Sequence, residues 1–301
     1  MTSILLTDGG MGQELLRRSG AKPTPLWSAK VLNDEPELVR DLHEDFIRAG
    51  AAVITINSYA ATPERLAREG EPDLFEPLQQ RAIDLAQAAR DRAGPAAIAG
   101  CLPPLFGSYQ PELRLPFDET LAIYRRIVAQ QAGRVDLILC ETMASAVEGL
   151  AAATAACESG KPVWLSWTLA DQGPPRLRSG ETLAAAAEAV AHLPLAARMV
   201  NCSWPEAVDR ALPDLAALGG TVGAYANGFT AIEALKLGGT VEALEARKDL
   251  GPDSYADFAL GWVDQGATIV GGCCEVGPEH IARLRDRLVE AGHELGAFSH
   301  A

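Results

Sequence analysis

The chain alternates between two patterns of hydrophobic residues. Short apolar runs rich in valine and isoleucine predict buried strands, and longer segments with apolar residues every three or four positions predict amphipathic helices. This pair of patterns recurs eight times. The predicted strands span residues 4–7, 52–56, 96–100, 135–140, 163–168, 197–200, 221–225 and 267–270. Eight strand–helix units predict an α/β fold, a (β/α)8 TIM barrel, with a doubly wound open sheet as the alternative.

Some boundaries between these units follow from local signals. We expect Asp118 to cap the helix that follows the third strand, because its carboxylate can accept a backbone N–H bond. The pair Gly277-Pro278 predicts the start of the last helix. The connection between the seventh strand and Asp253 is the most loop-like part of the chain.

The composition favours a single domain over residues 1–301. Of these residues 48% are hydrophobic, enough for one large core, and no low-complexity tract marks a linker. The net charge of −14 argues against nucleic acid, whose binding needs clustered Lys and Arg. No segment approaches the ~20 apolar residues of a membrane span, and we expect no signal peptide because residues 1–8 have no basic region and no long apolar run. We therefore expect a cytoplasmic protein with small-molecule substrates, and the sequence is compatible with a homo-oligomer.

Three cysteines stand at predicted strand ends. Cys202 follows the sixth strand, and the adjacent pair Cys273-Cys274 follows the eighth. Neighbouring cysteines rarely bond to each other, because their Cα atoms lie only ~3.8 Å apart. In a barrel the carboxyl ends of the strands form one face, so the three thiols should converge there. Three sulfur ligands suit tetrahedral Zn²⁺ with one open position, which is typical of a catalytic site.

The open position has a chemical requirement. A soft, anionic ligand matches three thiolates, and a substrate thiolate fits this description because Zn²⁺ lowers the pKa of a bound thiol. Other polar residues at strand ends are interpreted as substrate-binding groups. They are Asp8, Gly9, Asn57, Glu141, Asn201 and Tyr225.

Several motifs taken together resemble the homocysteine S-methyltransferase family, over essentially the whole chain. They are Asp8-Gly9-Gly10-Met11-Gly12, Glu141-Thr142, Val200-Asn201-Cys202, residues 249–259, residues 266–274 with Gly-Gly-Cys-Cys, and Gly277-Pro278-Glu279-His280-Ile281. The sequence differs from the family in two places. The loop after the third strand is shorter than the glycine- and tyrosine-rich loop of many relatives, and Glu275 stands where glycine is usual.

The resemblance implies a (β/α)8 barrel in which Cys202, Cys273 and Cys274 are the catalytic metal ligands and bind Zn²⁺. It also implies that homocysteine fills the open position, with Asp8, Gly9 and Glu141 at its amino acid end. The family uses several methyl donors, and a chain of this length leaves no room for folate or cobalamin domains. We expect a small sulfonium donor such as S-methylmethionine, with methionine as product. The alternatives are a corrinoid protein partner in catabolic demethylation, and a non-catalytic zinc or thiol sensor on the same barrel.

Overall fold

Parallel strands form the centre of the protein. The computed structural model describes residues 3–20, 22, 24–26, 28–113, 115–232 and 244–299. The strands within these ranges are β1 (Ser3–Leu6), β2 (Val53–Thr55), β3 (Ala97–Leu102), β4 (Leu137–Met143), β5 (Val163–Trp167), β6 (Ala197–Asn201), β7 (Val222–Tyr225), β8 (Ile269–Val270) and β9 (Glu294–Leu295). They form one sheet in the order β2-β3-β4-β5-β6-β7-β8-β1-β9.

Backbone hydrogen bonds between β1 and β2 close this sheet into a barrel. The Ala52 N–H donates to the Leu6 carbonyl at 2.8 Å, and the Asp8 N–H donates to the Val53 carbonyl at 3.0 Å. On its other side β1 pairs with β8, where Leu5 lies opposite Ile269. Strand β1 therefore has a neighbour on each side. The predicted (β/α)8 barrel is confirmed, and the doubly wound open sheet is wrong.

Helices surround the barrel. The α-helices of the described residues are α1 (Met11–Ser19), α2 (Ser28–Asp34), α3 (Pro36–Ala49), α4 (Pro63–Arg68), α5 (Phe75–Ala93), α6 (Phe117–Gln131), α7 (Ala146–Cys157), α8 (Leu183–Ala189), α9 (Pro205–Ala217), α10 (Pro252–Asp264) and α11 (Pro278–Glu290). A large apolar core lies between strands and helices. A smaller one, which includes Leu137, Met199 and Ile269, fills the barrel interior. Within the described residues, every helix is too short or too polar to cross a membrane.

The eight strands and the last helix begin close to where the sequence predicts them, but three boundaries need comment. Asp118 does not cap α6, which begins at Phe117 after Pro116 and has no side-chain cap. Asp118 instead lies in the first turn, where its charge still favours the helix dipole. Strand β4 extends beyond the predicted end to Met143. The predicted loop after the seventh strand includes residues 233–243, which lie outside the described residues.

Glycines allow the loops after β1 and β8 to pack closely against each other. A Cβ atom on Gly10 would lie 2.5 Å from the Cys273 carbonyl oxygen and 2.8 Å from Cys274 Cα. A Cβ atom on Gly9 would lie 2.1 Å from the Val276 carbonyl oxygen. These neighbours are backbone atoms, which cannot move aside as a flexible side chain would. The close packing therefore depends on glycine and fixes the cysteine pair against the first strand end.

We expect Gly10→Ala to destabilise the protein. The added methyl group displaces the backbone at Cys273, and overpacking of this kind costs about 1–3 kcal/mol. The matched control is Gly261→Ala inside α10, where a Cβ meets nothing within 4 Å, so the change should stabilise the helix by about 0.5–1 kcal/mol. Urea unfolding of both variants measures the difference. Equal midpoints for Gly10→Ala and the wild type would contradict the packing argument.

Candidate metal and substrate site

One cavity opens at the carboxyl ends of the strands, and most of the predicted site residues line it. They are Asp8, Gly9, Asn57, Glu141, Cys202, Tyr225, Cys273 and Cys274. Asn201 is the exception, because it is fully buried and is not among the lining residues. The carboxyl ends of six different strands therefore contribute residues to one cavity, and only Asn201 of the predicted set lies outside it.

The three predicted thiols converge at the mouth of the barrel. All three Sγ atoms lie within 4.8 Å of one another. Cys202 Sγ is 2.7 Å from Cys273 Sγ and 3.9 Å from Cys274 Sγ. Sulfurs that share a tetrahedral ion at the Zn–S distance of about 2.3 Å lie ~3.8 Å apart. The Cys202–Cys274 spacing already matches this value, whereas the Cys202–Cys273 spacing is about 1 Å shorter. The donor set therefore fits a metal ion that prefers sulfur.

Cys202 is held in an unusual conformation. Its φ of 49° lies in the left-handed region, which is uncommon for residues other than glycine. Its N–H donates to the Tyr225 carbonyl at 3.0 Å, which ties the strained residue to β7. Strain of this kind is often found at functional sites. Here it directs the thiol towards the pair that follows β8.

The thiols differ in acidity. Burial opposes ionisation of Cys202, but hydrogen bonds from the Cys273 and Cys274 thiols and from the Tyr109 hydroxyl outweigh it and hold its pKa well below the usual range. The Tyr109 hydroxyl lies 3.0 Å from Cys202 Sγ. Hydrogen bonding to Cys202 raises the pKa of Cys273 and Cys274 well above the usual range. The protein alone thus favours one thiolate in the cluster, and a dication would be needed to ionise all three.

Two carboxyl groups lie in the same cavity. Burial raises the pKa of Asp8 to about 8, although the Thr55 N–H donates to its Oδ2 at 2.7 Å. Burial also raises the pKa of Glu141 to about 7, and the nearby charge of Cys202 adds to this effect. The Cys101 thiol donates to Glu141 Oε1 at 3.1 Å. A cation in the cavity would favour the ionised form of both acids, so the pair is suited to bind an ammonium group.

Asn201 supports this site without lining the cavity, through hydrogen bonds to strand β4. Strand β4 has a bulge between Cys140 and Met143, with Thr142 at a φ of 61°. The Asn201 Oδ1 accepts from the Thr142 N–H at 2.9 Å, and its Nδ2 donates to Thr142 Oγ1 at 2.9 Å. A bulge re-aims neighbouring side chains. Asn201 therefore stabilises the backbone that presents Glu141, and its own side-chain atoms are committed to this contact.

Sequence reasoning missed Tyr109 and Arg65, which the structure brings to the site, and gave no role to Cys101 at the end of the third strand. Tyr109 and Arg65 line the cavity, and Cys101 contacts Glu141. Tyr109 lies in the loop after β3 and Arg65 in the short helix α4, neither of which the eight-unit pattern describes. The only available signal was the position of Cys101 near a strand end. The direction of a loop side chain has no comparable signal in one sequence.

The fold and site together define a class of protein. A (β/α)8 barrel with sulfur ligands and two acids at the carboxyl ends of its strands is an enzyme scaffold whose site can hold a metal ion and a cationic small molecule. The family model for homocysteine S-methyltransferase matches residues 5–288.

Known proteins agree with this assignment. The chain is 30% identical to the homocysteine S-methyltransferase of Escherichia coli (strain K12), over 94% of this chain and 95% of the relative. It is 27% identical to the selenocysteine methyltransferase of Astragalus bisulcatus, over 93% and 95%. The crystal structure of the metallated Escherichia coli homocysteine methyltransferase superposes with a TM-score of 0.79 at 30% identity, over 95% of this chain and 96% of that chain. The chain belongs to the homocysteine S-methyltransferase family and is a methyltransferase.

Metal binding should depend on Cys202. We expect about one ion per wild-type chain and loss of most of it in Cys202→Ala, because two thiols alone leave the ion underligated. Cys157→Ala is the control, since this thiol sits at the end of α7 and is absent from the cysteine cluster. Elemental analysis of protein dialysed against each divalent ion measures the content. A full complement of metal in Cys202→Ala would show that the ion binds elsewhere.

Proposed function

We propose that the protein transfers a methyl group from a small sulfonium donor to the thiolate of homocysteine, giving methionine, with Zn²⁺ held by Cys202, Cys273 and Cys274. The observation that carries the proposal is the meeting of three sulfurs and two buried acids in one cavity. Three thiolates favour Zn²⁺ among the common metals and leave one position for a fourth sulfur. When bound, Zn²⁺ would keep the acceptor sulfur ionised at neutral pH.

The amino acid end of homocysteine has matching groups. Asp8 and Glu141 would bind its ammonium group by charge-assisted hydrogen bonds. Its carboxylate would lie at the N-terminus of α1, where Gly9, Met11 and Gly12 line the cavity and no side chain caps the helix. Backbone N–H groups at a helix start are a suitable site for an anion. Asn57 and Tyr225 would then contact the body of the substrate.

The methyl transfer itself needs little from the protein beyond orientation. The homocysteine sulfur attacks the methyl carbon in line, and the methyl–sulfur bond of the donor breaks with its electron pair remaining on the leaving sulfur. The leaving group is a neutral thioether, so no acid has to protonate it. No histidine occurs among the described residues that line the cavity, which is consistent with this chemistry.

The structure bears on the two alternatives. A corrinoid partner would need an open, flat barrel mouth. Here Phe106 and Tyr109 from the loop after β3 line the cavity, and the Tyr109 hydroxyl reaches Cys202. This favours a small donor that enters the cavity. Membership of a methyltransferase family argues against a zinc or thiol sensor.

Glu141→Gln should weaken homocysteine binding without removing metal. An ammonium–carboxylate hydrogen bond contributes roughly 1.5–3 kcal/mol, so the homocysteine KM should rise by about 10–100-fold. In the wild type, burial raises the pKa of Glu141 to about 7. Only the ionised carboxylate pairs with an ammonium group. The KM should therefore fall as the pH rises from about 6 to about 8. This fall should be weaker in Glu141→Gln, where Asp8, whose pKa burial raises to about 8, is the remaining acid that ionises over this range.

The control for this experiment is Glu119→Gln, an exposed residue in the first turn of α6. Its KM and pH profile should equal those of the wild type. If Glu141→Gln also kept the wild-type KM, the ammonium group would bind elsewhere in the cavity.

The methyl donor can be tested directly. Zinc-loaded protein with homocysteine and S-methylmethionine should form methionine without cobalamin, folate or a second protein, because the proposed leaving group needs no further activation. Mass spectrometry with a labelled donor methyl group measures the transfer. If methionine forms only after a methylated corrinoid protein is added, the corrinoid alternative replaces this proposal.

A further inference from the structure

Arg65 is a buried cation in the wall of the cavity. The reaction proposed above gives this residue no role. Only 7% of its surface is exposed to solvent, and it lines the same cavity as the cysteines. Among the described residues no carboxylate lies within ion-pair distance of it, whereas its neighbour on α4, Arg68, pairs with Glu69 at 2.9 Å. Buried charges are normally paired, because removing them from water is costly.

The hydrogen bonds of Arg65 are also incomplete. Its Nη2 donates to the Pro104 carbonyl at 2.9 Å, and its Nε has no partner among the described residues. The guanidinium lies over the Tyr59 ring at 5.2 Å from the centroid. A ring face partly compensates a cation but does not accept N–H bonds in the guanidinium plane. A carboxylate does, with two parallel bonds.

The backbone around Arg65 holds the side chain in place. Thr62 caps α4 by accepting the Arg65 N–H at 3.2 Å, and its hydroxyl donates to the Leu105 carbonyl at 2.8 Å. Helix α4 is therefore bound to the loop after β3, the same loop that carries Tyr109. A guanidinium fixed between these two elements is preorganised and loses little entropy when it binds a ligand.

The two candidate ligands are the carboxylates of the acceptor and of the donor. The acceptor carboxylate is already matched by the N-terminus of α1, and its ammonium by Asp8 and Glu141. Arg65 lies on α4, the helix that follows β2, and its guanidinium contacts the Tyr59 ring and the Pro104 carbonyl. The remaining unmatched anion in the reaction is therefore a carboxylate on the donor.

We propose that Arg65 binds the carboxylate of the methyl donor and so restricts the protein to sulfonium donors that carry one. The inference rests on the proposed function and specifies its second substrate. It predicts that S-methylmethionine is preferred over its decarboxylated analogue, which keeps the sulfonium and the ammonium group but has no carboxylate.

The test compares kcat/KM for these two donors at saturating homocysteine in zinc-loaded wild type, Arg65→Met, Arg65→Lys and Arg125→Met. Loss of a charged hydrogen bond of roughly 1.5–3 kcal/mol predicts that the preference for the carboxylated donor falls about 10–100-fold in Arg65→Met. Arg65→Lys keeps the charge but loses the planar fork, so it should retain part of the preference. Arg125→Met, which removes an exposed guanidinium outside the cavity, should retain all of it. The homocysteine KM should be the same in the four proteins.

Three results would overturn the proposal. An unchanged donor preference in Arg65→Met is the first. The second is a raised homocysteine KM with an unchanged donor preference, since Arg65 would then bind the acceptor. The third is an equal loss of kcat/KM with both donors together with a lower melting temperature. Arg65 would then only stabilise the loop after β3 through its bond to the Pro104 carbonyl. If Arg65→Met does not fold, the same comparison is made on Arg65→Lys.

A binding measurement separates this inference from the proposed function. If no donor gives methionine, the proposed function is rejected, and titration calorimetry of S-methylmethionine into the zinc-loaded proteins then decides the role of Arg65. Binding that weakens at least tenfold in Arg65→Met but not in Arg125→Met supports the carboxylate site. Equal dissociation constants in these two variants overturn it.

Discussion

The close contact between the backbones that follow β1 and β8 is the constraint on which the site depends. Strand β1 closes the barrel by pairing with β8 on one side and with the start of β2 on the other. The loops beyond these strand ends can touch only because Gly9, Gly10 and Gly271 have no side chains. A Cβ on Gly271 would lie 1.8 Å from Thr7 Oγ1. The same contact that closes the barrel thus sets how far Cys273 and Cys274 lie from Cys202, and it places Asp8 beside them.

The site concentrates strain and negative charge in a small volume. Cys202, Thr142 and Glu275 all have positive φ values, which residues with a side chain rarely adopt. At Glu275 φ is 65°, and an ion pair with Arg17 at 2.9 Å helps to hold the side chain. Burial makes an unpaired negative charge costly, so it raises the pKa of the nearby acids. A metal ion or an ammonium group removes this cost by pairing with the ionised acids and thiolates. Strain and charge therefore both indicate a site prepared for cationic ligands.

The sequence predicts the parts of this site that follow from topology. In parallel strands of a barrel the carboxyl ends share one face, so Cys202 and the cysteine pair had to converge wherever the exact strand boundaries fell. The role of Asn201 could not be predicted, because it depends on the bulge at Thr142, and a bulge shifts side-chain direction without leaving a periodic signal. Arg65 and Tyr109 lie in a short helix and a loop whose paths are set by tertiary packing. Periodicity therefore identifies strand ends and leaves loop contributions open.

The charges of the cavity also bear on how a donor would differ from its product. In the proposed reaction a carboxylated sulfonium donor enters with one net positive charge, and after transfer its thioether form has none. Arg65 would hold the carboxylate of both, so it would select the class of donor without distinguishing the two forms. The distinction would come from the acids and thiolates that line the same cavity. Loss of one charge at ~4 Å from an ionised acid changes their interaction by on the order of a few kcal/mol in a partly solvated cavity. A single set of acidic groups would thus favour entry of the cationic donor and release of the neutral product, and the cavity would need no moving element for this discrimination.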